Sequence, residues 1–362
     1  MSRLVRPARV VAKGLLLFLA LEYGLATAPL RFGPGSMFSW RDMPRERLPV
    51  STLPAVDESL DVGNLDAMFS SHAVSRPKAQ DEFRVLVLGD SAVWGLQLTV
   101  EQTLPAQLDR LDMPCGEKRV RVYNLSFPRS SATKDLFILD RSLGFAPDMI
   151  VWLITWYTLM PKTRLDHWLI TRNADEFRKL GTRFDFLPHD YRAPTWLDDA
   201  FNRNSTLFRV LRYQLYPLIE KATGREQIAG PPEVPATELA ADLAFEGMKP
   251  PTLRKAQVSL DQIVDFYELA SHVPVLLVNE PMLVVRDMPH SDVRYNSYYP
   301  RWIYDQYRDY VAAAAAIHGW TYMDLWDHFA APYFTDTPLH LSPLGQRQLA
   351  EILAPSIQQE CR

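Results

Sequence analysis

The stretch Phe83-Arg84-Val85-Leu86-Val87-Leu88-Gly89-Asp90-Ser91 decides the fold of this chain. Its first six residues form an apolar, β-branched run of strand length, and a helix-like segment follows Ser91. A strand that ends in such a turn lifts the serine to the carboxyl edge of a sheet, where open α/β folds place their chemistry. Gly89 permits a tight turn, and the backbone N–H groups after Ser91 can hold an oxyanion. The simpler alternative is that Asp90-Ser91 only caps a helix.

Strand-like and helix-like segments alternate along the rest of the domain, which is typical of a parallel sheet covered by helices on both faces. The predicted strands are residues 83–88, 120–124, 149–154, 273–278 and 321–325. The predicted helices are residues 104–111, 133–143, 253–270, 302–317 and a last helix that begins at Pro343 after Ser342 as N-cap. The sequence therefore predicts a doubly wound, three-layer α/β fold with about five parallel strands.

Two regions depart from this alternation. Residues 31–81 are rich in proline, serine and charge, and we interpret them as a linker and lead-in to a domain over residues 82–358. Residues at about 157–250 show no strand pattern, which predicts a helical insertion after the third strand. Within the insertion, residues 205–220 have helical apolar spacing and either pack on their own domain or lie on a membrane surface.

Residues 1–30 have the pattern of an export segment. The apolar stretch 14–30 is interrupted by Glu22 and preceded by the basic residues Arg3, Arg6, Arg9 and Lys13. A helix over residues 10–30 would be about 30 Å long, enough to span a membrane. Three interpretations stay open: an uncleaved signal anchor, a signal peptide cleaved after residues 26–28 despite the hindrance of Pro29, and a buried helix. The basic flank predicts that the domain lies outside the cytoplasm, on the periplasmic or cell-surface side, and is secreted if cleavage occurs.

Composition excludes several other classes of protein. The 362 residues carry a formal net charge of −4, which argues against a nucleic-acid-binding surface. Cys115 and Cys361 lie in no metal-ligand spacing and there is no HExxH, so we predict no metal site. No GxxxxGK[ST] is present and no GxGxxG follows a strand, so we predict no cofactor. The sequence leaves open whether the two cysteines form a disulfide.

A histidine near the C-terminus gives Ser91 a candidate partner. His340 precedes the last predicted helix, and its loop opens on the same sheet edge as Ser91. Serine at neutral pH is a poor nucleophile and needs an adjacent base, which a carboxylate on the other imidazole nitrogen then orients. Asp336 is the local carboxylate. The alternative is that both residues are structural: Asp336 forms a turn of the loop, and His340 packs at the start of the last helix.

These motifs resemble the SGNH/GDSL hydrolase superfamily, whose sheet is flavodoxin-like, over about residues 83–154 and 253–356. Gly89-Asp90-Ser91, followed by Gly95, resembles the first family block, which implies that Ser91 is the nucleophile. The last block is Asp-x-x-His, which implies that His340 is the base. Thr337 occupies the position three before it, so the candidate acid Asp336 is displaced by one residue.

The oxyanion-binding blocks depart from the family pattern. The resemblance implies a glycine N–H donor after the second predicted strand, where Arg129 stands. It also implies a Gly-x-Asn block after the third strand, where the chain has Thr155-Trp156-Tyr157 and lacks the asparagine. The hydroxyl of Tyr157 or Thr158 could donate instead. One lost side-chain donor costs about 3–4 kcal/mol of transition-state stabilisation.

Other residues on the predicted active edge could line a pocket. Asn279 and Glu280 follow the fourth predicted strand. An aromatic run further along could stack on a sugar ring or pack its own helix; it comprises Tyr298, Tyr299, Trp302 and Tyr304.

Three functional hypotheses follow from these predictions. The first is a serine ester hydrolase or O-acyltransferase that acts outside the cytoplasm, on an acylated carbohydrate or lipid, with membrane contact through the N-terminal segment. The resemblance implies cell-envelope or exopolysaccharide acyl groups as substrates. The second is a catalytically silent SGNH-like domain that binds glycan or a partner, which the missing Gly-x-Asn favours. A weaker third possibility is a membrane-associated lipase with the 205–220 helix over its site. At this point both hydrolysis and acyl transfer stay open, and so does the oligomeric state.

Overall fold

The computed structural model describes residues 7–27, 44–50, 65–167, 169–170, 173–187 and 234–361. Helix α1 spans Pro7–Thr27. Across these described ranges, no helix combines the length and the hydropathy that crossing a membrane requires. The helix predicted at 205–220 lies outside the described residues.

A six-stranded sheet forms the centre of the described domain, with the spatial order β2-β3-β1-β4-β5-β6. Its strands are β1 (Glu82–Leu88), β2 (Pro114–Cys115), β3 (Lys118–Asn124), β4 (Met149–Ile154), β5 (Val275–Asn279) and β6 (Thr321–Asp324). All neighbouring strands pair in parallel except β2, which is antiparallel to β3. The five predicted parallel strands are therefore confirmed. The two-residue edge strand β2 was missed because so short a segment has no periodicity.

Helices cover both faces of the sheet. They are α2 (Leu65–Ser71), α3 (Ser91–Trp94), α4 (Leu104–Arg110), α5 (Ala132–Leu143), α6 (Ala174–Arg183), α7 (Leu260–Ala270), α8 (Arg301–His318) and α9 (Pro343–Gln359). Alternate residues of β1 enter opposite cores: Leu86 and Leu88 pack with α5, α7 and α8, whereas Val85 and Val87 pack with α4 and α9. This two-sided burial explains why β1 and β4 are apolar runs.

One helix boundary differs from its prediction. The helix expected over residues 253–270 begins at Leu260, and residues Lys255–Gln257 form a single 3-10 turn instead. The side chain and backbone of Arg254 both bond to Gln257, which closes that turn locally. The last helix begins as predicted, with Ser342 accepting the Gly345 N–H and Pro343 in its first turn.

Part of the stretch interpreted as linker packs onto the domain. Helix α2 buries Leu65, Met68 and Phe69 in the core. The Arg47 guanidinium lies 4.0 Å from the centre of the Trp94 ring and donates to the Gly95 and Leu98 carbonyls, each at 3.2 Å. Residues 44–50 therefore support α3, the helix that begins at Ser91.

The two cysteines form a disulfide. Cys115 lies in the edge strand β2 and Cys361 follows α9, and the bond joins them across 246 residues of sequence. The bridge ties the C-terminal helix to the edge of the sheet.

Candidate active site

The turn after β1 presents Ser91 at the carboxyl edge of the sheet. A Cβ on Gly89 would lie 2.6 Å from Val93 Cγ2, so this position admits only glycine without a shift. Asp90 is the N-cap of α3 and accepts the Ala92 N–H at 2.9 Å. Its other oxygen accepts the Ser130 hydroxyl at 2.5 Å. The capping interpretation is therefore correct for Asp90, and it leaves the Ser91 hydroxyl available.

Ser91, His340 and Asp336 form a continuous hydrogen-bonded chain. Ser91 Oγ lies 2.9 Å from His340 Nε2, although 249 residues separate them. His340 Nδ1 lies 2.9 Å from Asp336 Oδ1. With a carboxylate on Nδ1, that nitrogen carries the proton, and Nε2 accepts the Ser91 hydroxyl proton. This is the geometry that a serine nucleophile with a general base requires.

The displaced acid has a local explanation. Thr337, at the family position, turns its Oγ1 to the loop backbone and accepts the N–H groups of Leu339 and His340 at 3.3 and 3.1 Å. Asp336, one residue earlier, reaches the ring and also accepts the Thr335 hydroxyl at 3.0 Å. Burial raises the pKa of Asp336, but the hydrogen bond and charge of His340 outweigh it and hold the pKa below its usual value. The carboxylate is therefore ionised at neutral pH.

Arg129 has the backbone conformation that its predicted role needs. Its φ is +67°, in the left-handed region that favours glycine, and its side chain is exposed. No described residue accepts a hydrogen bond from the N–H of Arg129 or from that of Ser91. The Ser130–Asp90 bond ties this turn to the nucleophile turn. Two backbone donors thus remain available near the serine, as in an oxyanion hole.

Two of the candidate pocket residues serve the fold instead. The buried Asn279 amide donates to Asp324 at 2.8 Å, and its oxygen accepts the Tyr304 and Tyr307 hydroxyls at 3.3 and 3.1 Å. Asn279 was expected to line the pocket; in the structure its polar atoms hold β5 to β6 and α8. The buried Thr158 accepts the Thr155 N–H at 3.1 Å, which engages its oxygen in the turn after β4.

Tyr157, in the turn after β4, and Tyr298 form a half-buried aromatic pair at the carboxyl edge of the sheet. Their ring centres lie 6.2 Å apart at an interplanar angle of 88°, and Tyr157 also packs on the buried Phe245. Burial, with smaller effects of Glu246 and Tyr298, raises the pKa of Tyr157 to about 12, so its hydroxyl is a donor at neutral pH. Burial also raises the pKa of Tyr298, and the carboxylates of Asp336 and Asp90 add to the effect.

The rest of the predicted aromatic run belongs to the core. Tyr299 and Tyr304 are fully buried, and Trp302 donates its indole N–H to the Leu243 carbonyl at 2.7 Å. For these three residues the packing alternative is correct.

A buried charged cluster lies behind the nucleophile turn and was missed in the sequence. The Lys134 ammonium forms an ion pair with Asp135 Oδ1 at 2.9 Å, and Asp135 Oδ2 accepts the Trp152 indole N–H at 3.0 Å. Burial raises the pKa of Asp135 to about 6. Burial, with the charge of Asp90 adding to it, raises the pKa of Glu280 well above its usual value, and Glu280 Oε1 has no partner in the described chain. Lys134-Asp135 in a helix carries no sequence signal that distinguishes it from a solvated pair.

No described residues assemble three or more histidine, cysteine, aspartate or glutamate side chains into a metal site.

No family model matches the chain, and no curated protein matches it. The fold is similar to several solved structures. A carbohydrate acetylesterase family member from Sinorhizobium meliloti has 14% identity and a TM-score of 0.33, with coverage of 77% of this chain and 98% of that one. The aryl esterase of M. smegmatis has 14% identity and a TM-score of 0.32, covering 76% and 98%. A family 3 carbohydrate esterase from Clostridium thermocellum has 10% identity and a TM-score of 0.36, covering 77% and 97%.

Two features of the chain itself are specific. Gly89-Asp90-Ser91 follows the first strand of the sheet, and His340, in the loop before the last helix, contacts Ser91. In these features the chain resembles the SGNH/GDSL hydrolase superfamily.

Proposed function

We propose that the protein is a serine-dependent ester hydrolase or O-acyltransferase of the SGNH type. The observation that carries this proposal is the chain of contacts from Ser91 through His340 to Asp336, each 2.9 Å long. Both reactions use one acyl-serine intermediate, and neither requires a cofactor.

The geometry supports a two-step reaction. His340 Nε2 takes the Ser91 proton while Oγ bonds to the ester carbonyl carbon, and the carbonyl oxygen becomes an oxyanion. The N–H groups of Ser91 and Arg129 are the candidate donors to that oxyanion. The C–O bond to the leaving alcohol then breaks, and the alcohol takes the proton from His340. In the second step water or another hydroxyl attacks the acyl-serine, with His340 again accepting and returning the proton.

Fluorophosphonate labelling tests the nucleophile, because these probes react only with an activated serine. We expect wild-type protein to be labelled and to release nitrophenol from p-nitrophenyl acetate, and Ser91→Ala to do neither while retaining its fold by circular dichroism. Wild-type turnover in Ser91→Ala would refute the assignment. Absence of labelling in the wild type would favour the alternative, a silent glycan- or partner-binding domain.

The proposed substrate is an acylated carbohydrate or lipid, with carbohydrate favoured. Support comes from Tyr157 and Tyr298, whose half-buried rings at the carboxyl edge of the sheet suit stacking on a sugar face. The described end of the insertion, residues 234–250, brings Phe245 against Tyr157, so that the insertion forms a wall beside this tyrosine. Exclusion of water by such a wall favours transfer to a bound hydroxyl over hydrolysis.

A transfer assay separates the two reactions. We expect slow release from p-nitrophenyl acetate alone, and faster release with an acetylated saccharide product when a saccharide acceptor is added. Fast release that ignores the acceptor would favour a plain esterase.

The proposal places the domain outside the cytoplasm, held at a membrane by residues 1–30. It is supported by the basic flank of the apolar stretch 14–30, by exposed aliphatic side chains on α1 such as Val11 and Leu17, and by the Cys115–Cys361 disulfide. Deletion of residues 1–30 should move the protein from the membrane fraction to the soluble fraction. Recovery of unprocessed full-length chain in the cytosol would contradict this localisation.

A further inference from the structure

Lys134 is a fully buried lysine whose ammonium donates to two backbone carbonyls and forms an ion pair with one carboxylate. Its ammonium Nζ lies 2.7 Å from the Gly89 carbonyl oxygen, 2.7 Å from the Phe127 carbonyl oxygen and 2.9 Å from Asp135 Oδ1. An ammonium has three donors and no acceptor; here two donors bond to the carbonyl oxygens, and the carboxylate balances the charge.

The two carbonyls occupy equivalent places in two different turns. Gly89 is two residues before Ser91, and Phe127 is two residues before Arg129. The Phe127 N–H also donates to the Gly89 carbonyl at 3.0 Å. One ammonium on α5 therefore joins the turn after β1 to the turn after β3, on the side away from the solvent.

These turns carry the backbone N–H groups of Ser91 and Arg129, which bond to no described residue. With the asparagine of the third block missing, the candidate oxyanion donors are mainly these two groups. One preorganised donor changes kcat by about 10²- to 10³-fold, and a misplacement of about 1 Å can cost 10²-fold. The spacing between the two turns therefore matters for the reaction.

Stability alone does not account for a lysine at this place. Replacing a buried ion pair with apolar side chains of similar volume is often neutral or stabilising, because burial removes both charges from water. An apolar side chain at position 134 could fill the same volume, but it could not bond to two carbonyl oxygens.

We propose that Lys134 is a positioning residue that fixes the spacing of the Ser91 and Arg129 N–H groups and so shapes the oxyanion hole. This inference rests on the proposed function, since it assigns Lys134 a role in that reaction. Lys134 acts through the backbone of the two turns and does not touch the substrate.

The test compares Lys134→Met with Leu136→Ala in the full-length protein. Leu136 is also fully buried on α5, but it belongs to the apolar core, and its side chain has no donor for either carbonyl. The measurements are kcat and KM for p-nitrophenyl acetate, the rate of fluorophosphonate labelling per folded molecule, and the melting temperature. Lys134→Gln, which keeps a donor for one carbonyl, replaces Lys134→Met if the latter does not fold.

We expect Lys134→Met to lower kcat and the labelling rate by about 10- to 100-fold with KM within threefold. We expect Leu136→Ala to lower the melting temperature while its folded molecules keep kcat within threefold. A Lys134 variant that keeps kcat and labelling would overturn the inference, as would an equal loss of kcat in Leu136→Ala. A wild type that is neither labelled nor active would overturn the proposed function itself, which makes the two failures distinguishable.

Discussion

Replacing Asp336 with asparagine tests the acid at the displaced position. Asparagine has the same shape, and the Thr335 hydroxyl, which donates to Asp336 Oδ1 at 3.0 Å, keeps the His340 carbonyl as an acceptor at 3.1 Å. It carries no charge, and it can present an N–H to His340 Nδ1 in place of the carboxylate 2.9 Å away. The ring then favours the tautomer with the proton on Nε2, which cannot accept the Ser91 proton.

The expected effect is large and mainly on kcat. The corresponding change in a serine–histidine–aspartate triad lowers kcat by about 10⁴-fold, equivalent to about 5.5 kcal/mol of transition-state stabilisation. The Asp336 side chain is 14% exposed, so water can partly solvate the imidazolium in the variant. We therefore expect a loss of about 10³- to 10⁴-fold, with little change in the melting temperature.

The assay is steady-state release of nitrophenol at pH 7.5, with fluorophosphonate labelling as an independent measure of serine activation. The matched control is Thr337→Asp in the Asp336→Asn background, which moves the carboxylate to the usual family position. We expect no rescue, because position 337 faces the backbone N–H groups of residues 339 and 340. Activity of Asp336→Asn within tenfold of the wild type, or full rescue by Thr337→Asp, would refute the assignment of the acid.

Three further predictions concern the supports of the site. Gly89→Ala should lower kcat at least tenfold and destabilise the fold by about 1–3 kcal/mol, since its Cβ would lie 2.6 Å from Val93 Cγ2; kinetics and urea unfolding check both effects. Cys115→Ser with Cys361→Ser should lower the free energy of unfolding by up to about 5 kcal/mol, because the disulfide closes 246 residues of sequence; an unchanged melting temperature in oxidised protein would contradict this. Glu280→Gln should gain stability relative to the wild type as pH rises, because the folded protein raises the pKa of Glu280. The stability that protonated Glu280 contributes is fully present below its pKa in the unfolded chain. Between that pKa and the higher pKa in the folded protein, it is lost by about 1.4 kcal/mol per pH unit. Urea unfolding from pH 4 to pH 9 measures this slope, and parallel curves for the two proteins would refute it.

The sequence predicted the strands and the Ser91–His340 contact because both follow from local patterns. A strand buried on both faces is an uninterrupted apolar run, and the order of the elements then brings Ser91 and His340 to one edge. The sequence did not explain why the acid is Asp336 and not residue 337. The structure does, because Thr337 Oγ1 accepts backbone N–H groups of its own loop.

Contacts between distant segments limited the rest of the prediction. Asn279 follows a buried strand, as a pocket residue would, but its partners Asp324 and Tyr307 come from later elements. Lys134 precedes an acidic residue on a helix, and its burial depends on carbonyls from two turns. Neither environment is encoded in a window of neighbouring residues.

The packing of Arg47 on Trp94 has a practical consequence for the choice of expression boundaries. A fragment starting at residue 82, where the strand pattern begins, would lose the guanidinium that lies 4.0 Å from the Trp94 ring and the acceptor for its indole N–H, the Leu48 carbonyl at 2.7 Å. Trp94 is 2% exposed in the intact fold, so such a truncation would open the base of the serine's helix to water. A fragment that keeps these contacts must therefore include Arg47 and Leu48.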